Sequence, residues 1–208
     1  MKLGLYGSLW IALLASASAC AHIGDELTYN RAIDDAWDAQ QCGDIQGAKV
    51  EWWRAYEAAD RAKMGPPYTS TSLYNYGRMA GYLCQYDEAR EALQKALALD
   101  EQALPLDESK LGKSLFELAR LDYSHENWDG ARGWYDRGIP LLRKLGYDRS
   151  DPVAMANELD RYALVLEKTG DAARGAATSG EAAHLRAVHP GASARFVAQL
   201  YPAKCDYT

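Results

Sequence analysis

The sequence specifies an all-α protein, an α-solenoid of four helix-turn-helix repeats closed by a short C-terminal capping segment. Three observations predict it. The first is a corner that recurs four times between residues 36 and 182: Gly43-Asp44-Ile45-Gln46-Gly47-Ala48, Gln85-Tyr86-Asp87-Glu88-Ala89, Asn127-Trp128-Asp129-Gly130-Ala131 and Gly170-Asp171-Ala172-Ala173-Arg174-Gly175. Their final small residues lie 41, 42 and 44 positions apart, and a fixed period of that size means stacked two-helix units that supply each other's core. The second is a set of small residues around each corner. Ala36, Gly77, Ala119 and Ala163 stand 12 positions before the anchors Ala48, Ala89, Ala131 and Gly175, and Ala55, Ala96, Gly138 and Ala182 stand seven after them. Ala and Gly make up only 35 and 17 of the 208 residues, yet they hold all twelve positions. Two antiparallel helices that cross at small side chains need this, since a larger residue would push the axes apart. The third is punctuation: Gly65-Pro66-Pro67, Pro105 and Asp151-Pro152 fall between units, where a missing backbone N–H is tolerated.

Taken in order, helices are expected at 27–42, 46–63, 70–84, 87–99, 109–125, 129–144, 152–168 and 171–188. Paired, they give a solenoid over 27–191 with units at about 27–66, 67–107, 108–150 and 151–191. Leu73, Leu115 and Leu159, one turn before the upstream small residue, should fill the inner face of the first helix of their units. Trp52, Leu93 and Tyr135, one turn after the anchor, should do the same for the second helix. Pro190-Gly191 ends the last unit. Ala192–Leu200 then places Phe196, Val197 and Leu200 on one side of a short amphipathic segment, so 192–208 is expected to cover the apolar end of the stack.

The alternation of bulky, small and aromatic positions around each corner resembles the tetratricopeptide repeat family. Leu73-Tyr74-Asn75-Tyr76-Gly77 through Tyr86-Asp87-Glu88-Ala89 to Leu97-Ala98-Leu99-Asp100 is a close match, and Gly175 and Ser179 make the fourth unit the most divergent. The period near 42 resembles the family's longer-helix variants, such as those of kinesin light chain. The resemblance covers about three quarters of the chain. It implies a concave groove lined by the first helix of each unit and used to hold a protein segment. Carried over by position, that groove would present Trp37, Tyr74, Asn75, Arg78, Phe116, Arg120, Tyr123 and Arg161. Aromatics beside arginines are enriched at binding hot spots. The same arginines have a second reading, ion pairs with Asp34 and Glu117 across the groove. The carboxylate clamp of chaperone-binding members is not matched, because Tyr74 and Arg78 stand where it needs Lys and Asn.

Met1-Lys2, an apolar run to Leu14 and Ala15-Ser16-Ala17-Ser18-Ala19 read as a secretory signal over 1–19. Ala17-Ser18-Ala19-Cys20 resembles the bacterial lipobox, which implies lipidation of Cys20; ordinary cleavage after Ala19 is the alternative. Ala21 in place of Asp after the Cys implies delivery to the outer membrane of a Gram-negative bacterium, facing the periplasm. Residues 20–26 then form the lipidated Cys and a tether that spans roughly 20 Å when extended.

The formal charge is −6, with 23 basic and 29 acidic residues, which gives no footprint for nucleic acid and leaves the lipid as the membrane contact. In an oxidising compartment Cys42 and Cys84, 42 residues apart, are either bonded as a staple between the first two units or unpaired, and Cys205 is left over. No catalytic, cofactor or metal motif occurs. His184 and His189 are five apart, off the spacing that puts two ligands on one helix face. The expected function is therefore that of a non-enzymatic lipoprotein adaptor without a cofactor. It would bind a protein partner of the cell envelope, in outer-membrane protein assembly, pilus or secretion assembly, or cell-wall enzyme recruitment. Self-association through Phe196, Leu200, Tyr201 and Cys205 is the alternative.

Overall fold

The computed structural model describes residues 7–203, with side chains from Ile23 onward. Among these residues there are helices and no strands. The helices are α1 (Gly7–Gln41), α2 (Ile45–Arg61), α3 (Pro66–Tyr82), α4 (Tyr86–Gln102), α5 (Glu108–Ser124), α6 (Trp128–Lys144), the single turn α7 (Tyr147–Ser150), α8 (Pro152–Lys168) and α9 (Ala172–Val188). α1/α2, α3/α4, α5/α6 and α8/α9 pack as antiparallel pairs, and each pair stacks on the next. The result is the solenoid that the period requires.

The small residues do what their spacing demands. All twelve are buried. A Cβ at Gly77 would come within 2.8 Å of Leu93 Cγ and 3.1 Å of the Ala89 carbonyl oxygen, and one at Gly138 would meet the Phe116 ring at 2.8 Å. Leu73, Leu115, Leu159, Trp52, Leu93 and Tyr135 are all buried in the core beside them. Each corner turns on one left-handed residue: Gly43 (φ 78°), Cys84 (φ 64°), Glu126 (φ 57°) and Gly170 (φ 83°). The next residue opens the second helix, and in the first and last units it caps that helix, Asp44 accepting from the Gly47 N–H and Asp171 from that of Arg174.

Several expectations need correction. α3 begins at Pro66, ahead of residue 70, because Pro66 and Pro67 occupy first-turn positions that need no N–H donor. α1 begins well before residue 27. The 21–26 stretch, which would reach roughly 20 Å at full extension, is helical and rises about 9 Å. Tyr29 and Ala32 are buried on this helix, and Asp25 reaches Arg61 at 3.0 Å, so packing against α2 carries the helix back toward the N-terminus. The Cys20 side chain lies outside the described residues, as does Cys205. Among the described residues no helix is long and apolar enough to cross a membrane.

The proposed Cys42–Cys84 staple does not form: Cys42 is free and exposed, whereas Cys84 is disulfide-bonded. The reason is register. Cys84 holds the left-handed corner position that Gly43 holds in the first unit, one residue after Cys42, so the two sulfurs are not equivalent. The C-terminal segment also departs from expectation. Residues 192–203 are not helical and do not close the end of the stack. They run back along the inner face, leaving Phe196, Val197 and Leu200 exposed and burying Tyr201 against α3 and α5.

Candidate inner-face binding site

The first helices of neighbouring units run side by side, so residues one turn apart on α3, α5 and α8 form rows across the inner face. Tyr74, Asn75 and Arg78 from α3, Phe116 and Arg120 from α5, and Arg161 from α8 converge on a cavity of about 520 Å³. Trp37 of α1 reaches the same cavity, and Lys110 and Lys113 line it at the start of α5. Its volume is that of an ordinary ligand pocket, open on one side to a larger groove.

Its centre is a buried network. Glu117, 2% exposed, accepts from Arg120 Nη2 at 2.6 Å and from the Tyr74 hydroxyl at 2.9 Å, both at Oε2, while Arg78 Nε stands 3.7 Å from the same oxygen. The Tyr201 hydroxyl donates to the other oxygen. Arg120 continues to Glu158, whose Oε1 lies 3.2 Å from Nη1, and the Tyr135 hydroxyl donates to Glu158 Oε2 at 3.2 Å. The Arg78 guanidinium lies over the rings of Tyr74, at 5.7 Å, and Tyr82, at 6.0 Å. Burial pushes the Glu117 carboxyl up, but Arg120, Arg78 and the two tyrosine hydroxyls outweigh it and hold it below the usual carboxylate value. Burial and the neighbouring Glu117 push the Tyr74 hydroxyl well above its ordinary range, so it acts as a neutral donor.

Some donor capacity remains unused. Arg78 Nε, Arg120 Nε and Arg161 Nη1 are buried without a hydrogen bond, although Arg161 Nη1 forms an ion pair at 2.9 Å with Glu158 Oε1. Five cationic side chains line the cavity (Arg78, Lys110, Lys113, Arg120 and Arg161) against two carboxylates, Asp100 and Glu158. The cavity lining therefore carries more cations than carboxylates, although Glu117 behind it neutralises part of Arg78 and Arg120.

Seven of the eight groove residues expected from sequence meet at this cavity: Trp37, Tyr74, Asn75, Arg78, Phe116, Arg120 and Arg161. Tyr123 does not line it. Its ring packs edge-on against Trp128 at 5.7 Å, at the α5–α6 corner. Phe116 and Arg120 are there chiefly as structure, 5% and 4% exposed. Of the two expected ion-pair partners, Glu117 takes both arginines and the exposed Asp34 makes no ion pair among the described residues. Lys110, Lys113, Glu158 and Tyr201 were not foreseen. The first two carry a signal that was readable: 110, 113, 117 and 120 follow the three-and-four spacing of a single helix face. Tyr201 carries none, because nothing in its neighbourhood sets where an irregular segment returns.

Fold and groove together define a two-helix-repeat solenoid with a lined inner face. Residues 68–144 match the profile of the tetratricopeptide repeat, and the described residues as a whole form an array of paired helices of the same kind. Among solved structures, the crystal structure of BtubC (BKLC) from P. vanneervenii superposes with a TM-score of 0.72 at 18% identity, over 87% of this chain and 72% of that one. At that identity the likeness concerns the fold alone. No curated protein matches the chain. Tetratricopeptide repeats are protein-interaction scaffolds, and among the described residues no group of three or more His, Cys, Asp or Glu is placed to hold a metal.

Proposed function

We propose that the protein is a lipid-anchored adaptor of the bacterial envelope that holds a segment of a partner protein against its inner face. The observation that carries the reading is the convergence of aromatic walls, three arginines and two flanking lysines on one open cavity. That composition suits a partner segment with a carboxylate close to an apolar side chain. The signal-like run before Cys20, and the lipobox-like residues 17–20, support the anchor and the compartment.

Tyr74 is too enclosed to carry a probe, so the test uses Lys113, which is exposed and lines the cavity, with the exposed Gln94 of α4 as control. A photo-crosslinking residue at Lys113 should capture a protein in cells that the same residue at Gln94 does not. Capture from Gln94 alone would move the interface to the outer face. The anchor has its own readout: labelled palmitate should enter the wild type and not Cys20→Ala, and equal labelling of both would remove the lipid from the reading. Self-association through the C-terminal segment is weakened as an alternative, since Tyr201 is already seated in its own chain.

A further inference from the structure

The chain after α9 carries an unpaired stretch of backbone along the border of the inner-face cavity. It is fastened at two places. The backbone N–H groups of Arg195 and Phe196 point to the Asp151 carboxylate, at 3.2 and 3.3 Å, and the Tyr201 N–H donates to Ser124 Oγ at 3.2 Å. Asp151 caps the start of α8, whereas Ser124 is the last residue of α5. The two points are about one helix length apart, roughly 25 Å for 17 residues. From Phe196 to Tyr201 the chain reaches at most about 18 Å, so even with a side chain and a hydrogen bond at each end it makes the crossing only when extended. The side chains agree. Phe196 and Ala198 line the cavity while Val197 between them is 71% exposed, which is the alternation of a strand.

Among the described residues the backbone N–H and C=O groups of Val197, Ala198, Gln199 and Leu200 take part in no hydrogen bond. An exposed, extended stretch with free backbone groups is a template for another strand. Its N–H groups point alternately to opposite sides. Tyr201 turns its own toward Ser124, so those of Val197 and Gln199 share that side and those of Ala198 and Leu200 face away from α5. Lys110 and Lys113 line the same cavity and make no ion pair among the described residues; Lys110 Nζ donates instead to the Pro67 carbonyl at 3.1 Å and to Thr71 Oγ1 at 3.2 Å. We propose that the partner segment binds as an added β-strand, pairing its backbone with Ala198 and Leu200 and turning acidic side chains toward the two lysines. Main-chain bonds then supply affinity, and every second side chain, set into the cavity, supplies selectivity. The occupant is an extended acidic segment, not a helix. This deepens the adaptor reading and rests on it for the existence of a partner.

The probe is a short blocked peptide in which valine and glutamate alternate, added to the full-length chain. Saturating peptide should slow amide exchange at Ala198 and Leu200 about tenfold or more and leave Val197 and Gln199 unchanged, since pairing closes one side of the strand only. The fully N-methylated peptide keeps the side chains and has no backbone donors. It should bind about tenfold more weakly or worse, as should the peptide with lysine in place of glutamate. Any other exchange pattern, equal binding of either altered peptide, or no slowing up to the solubility limit of the peptide overturns the proposal. So does slowing that appears without peptide as protein concentration rises, which assigns the free backbone to a second copy. Alternating protection without capture from Lys113 in cells removes the adaptor reading and leaves the strand site, and capture without alternating protection does the reverse.

Discussion

A carboxylate as enclosed as Glu117 keeps its charge because Arg120, Arg78, Tyr74 and Tyr201 all turn toward it. Its folded value lies below the ordinary 4.5, so its stabilising contribution is present in full above that value and is lost as pH falls through the lowered one. Glu117→Gln keeps the shape and removes the charge, leaving Arg120 buried with Glu158 alone. The variant should lose about 3 kcal/mol at pH 7, the cost of breaking a buried pair from one side. It should also show a flatter decline in stability below pH ~4.5 than the wild type, since its one titrating partner is gone. Urea midpoints at pH 7 and at pH 3.5 check both; equal stability at pH 7 would mean that the network only orients its members. The same burial decides how recognition should be tested. Reversing the charge of Arg120 would break the core, whereas the exposed Lys113 can be changed to Glu without disturbing the fold. Lys113→Glu should weaken capture of an acidic partner segment by about tenfold, the weight of one well-placed charge contact.

Each helix pair is closed by a left-handed corner and by a side-chain bond between residues 12 apart. Trp52 donates to Gln40 at 2.7 Å and Trp134 donates to Asp122 at 2.9 Å, whereas Tyr76–Glu88 and Tyr162–Arg174 join a different pair of places, earlier on both helices relative to the corner. The corners were legible because Gly and the small anchors repeat at nearly constant spacing, and helix ends follow from Pro, Gly and Asp at loop positions. The bonds were not legible. Each spans 12 residues, but they fall in two registers against the corner, and the chemistry changes from amide–indole to phenol–carboxylate to carboxylate–indole to phenol–guanidinium, so no single pattern runs through all four units. The second and third corners also put Cys84 and Glu126 where the first and fourth put Gly. A left-handed non-glycine residue costs about 1–2 kcal/mol, and Glu126 is exposed, so its side chain has little burial to set against that cost. Glu126→Gly should therefore raise stability by roughly 0.5–1 kcal/mol, with part of the gain lost to the freer unfolded chain. Thermal unfolding followed by circular dichroism would show it, and a lower midpoint would mean that the Glu126 side chain contributes more than its backbone strain costs.

In a solenoid every unit touches only its neighbours, so stability is close to a sum along the stack. The C-terminal segment breaks that rule. It ties residue 201 to Ser124 and Glu117, 77 and 84 positions away in sequence, and so couples the end of the chain to its second and third units. The inner face itself was foreshadowed by equivalent positions on successive first helices, but its occupant was not, because periodic reasoning is blind to a segment that lies outside the repeat. Removing residues 191–208 separates the two contributions. The comparison must be made with the reduced wild type, so that the disulfide at Cys84 does not add its own entropy term. The truncated chain keeps α1 to α9, and its helical signal should fall by no more than the missing residues account for. It loses the burial of Tyr201 and leaves Glu117 one donor short, together about 2–4 kcal/mol. With the long-range tie gone, the last units should also come apart before the first, so urea unfolding followed by circular dichroism and by tryptophan fluorescence should no longer coincide. Coincident curves with an unchanged midpoint would mean that the segment rests on the inner face without holding it together, and that the repeats alone set the stability of the array.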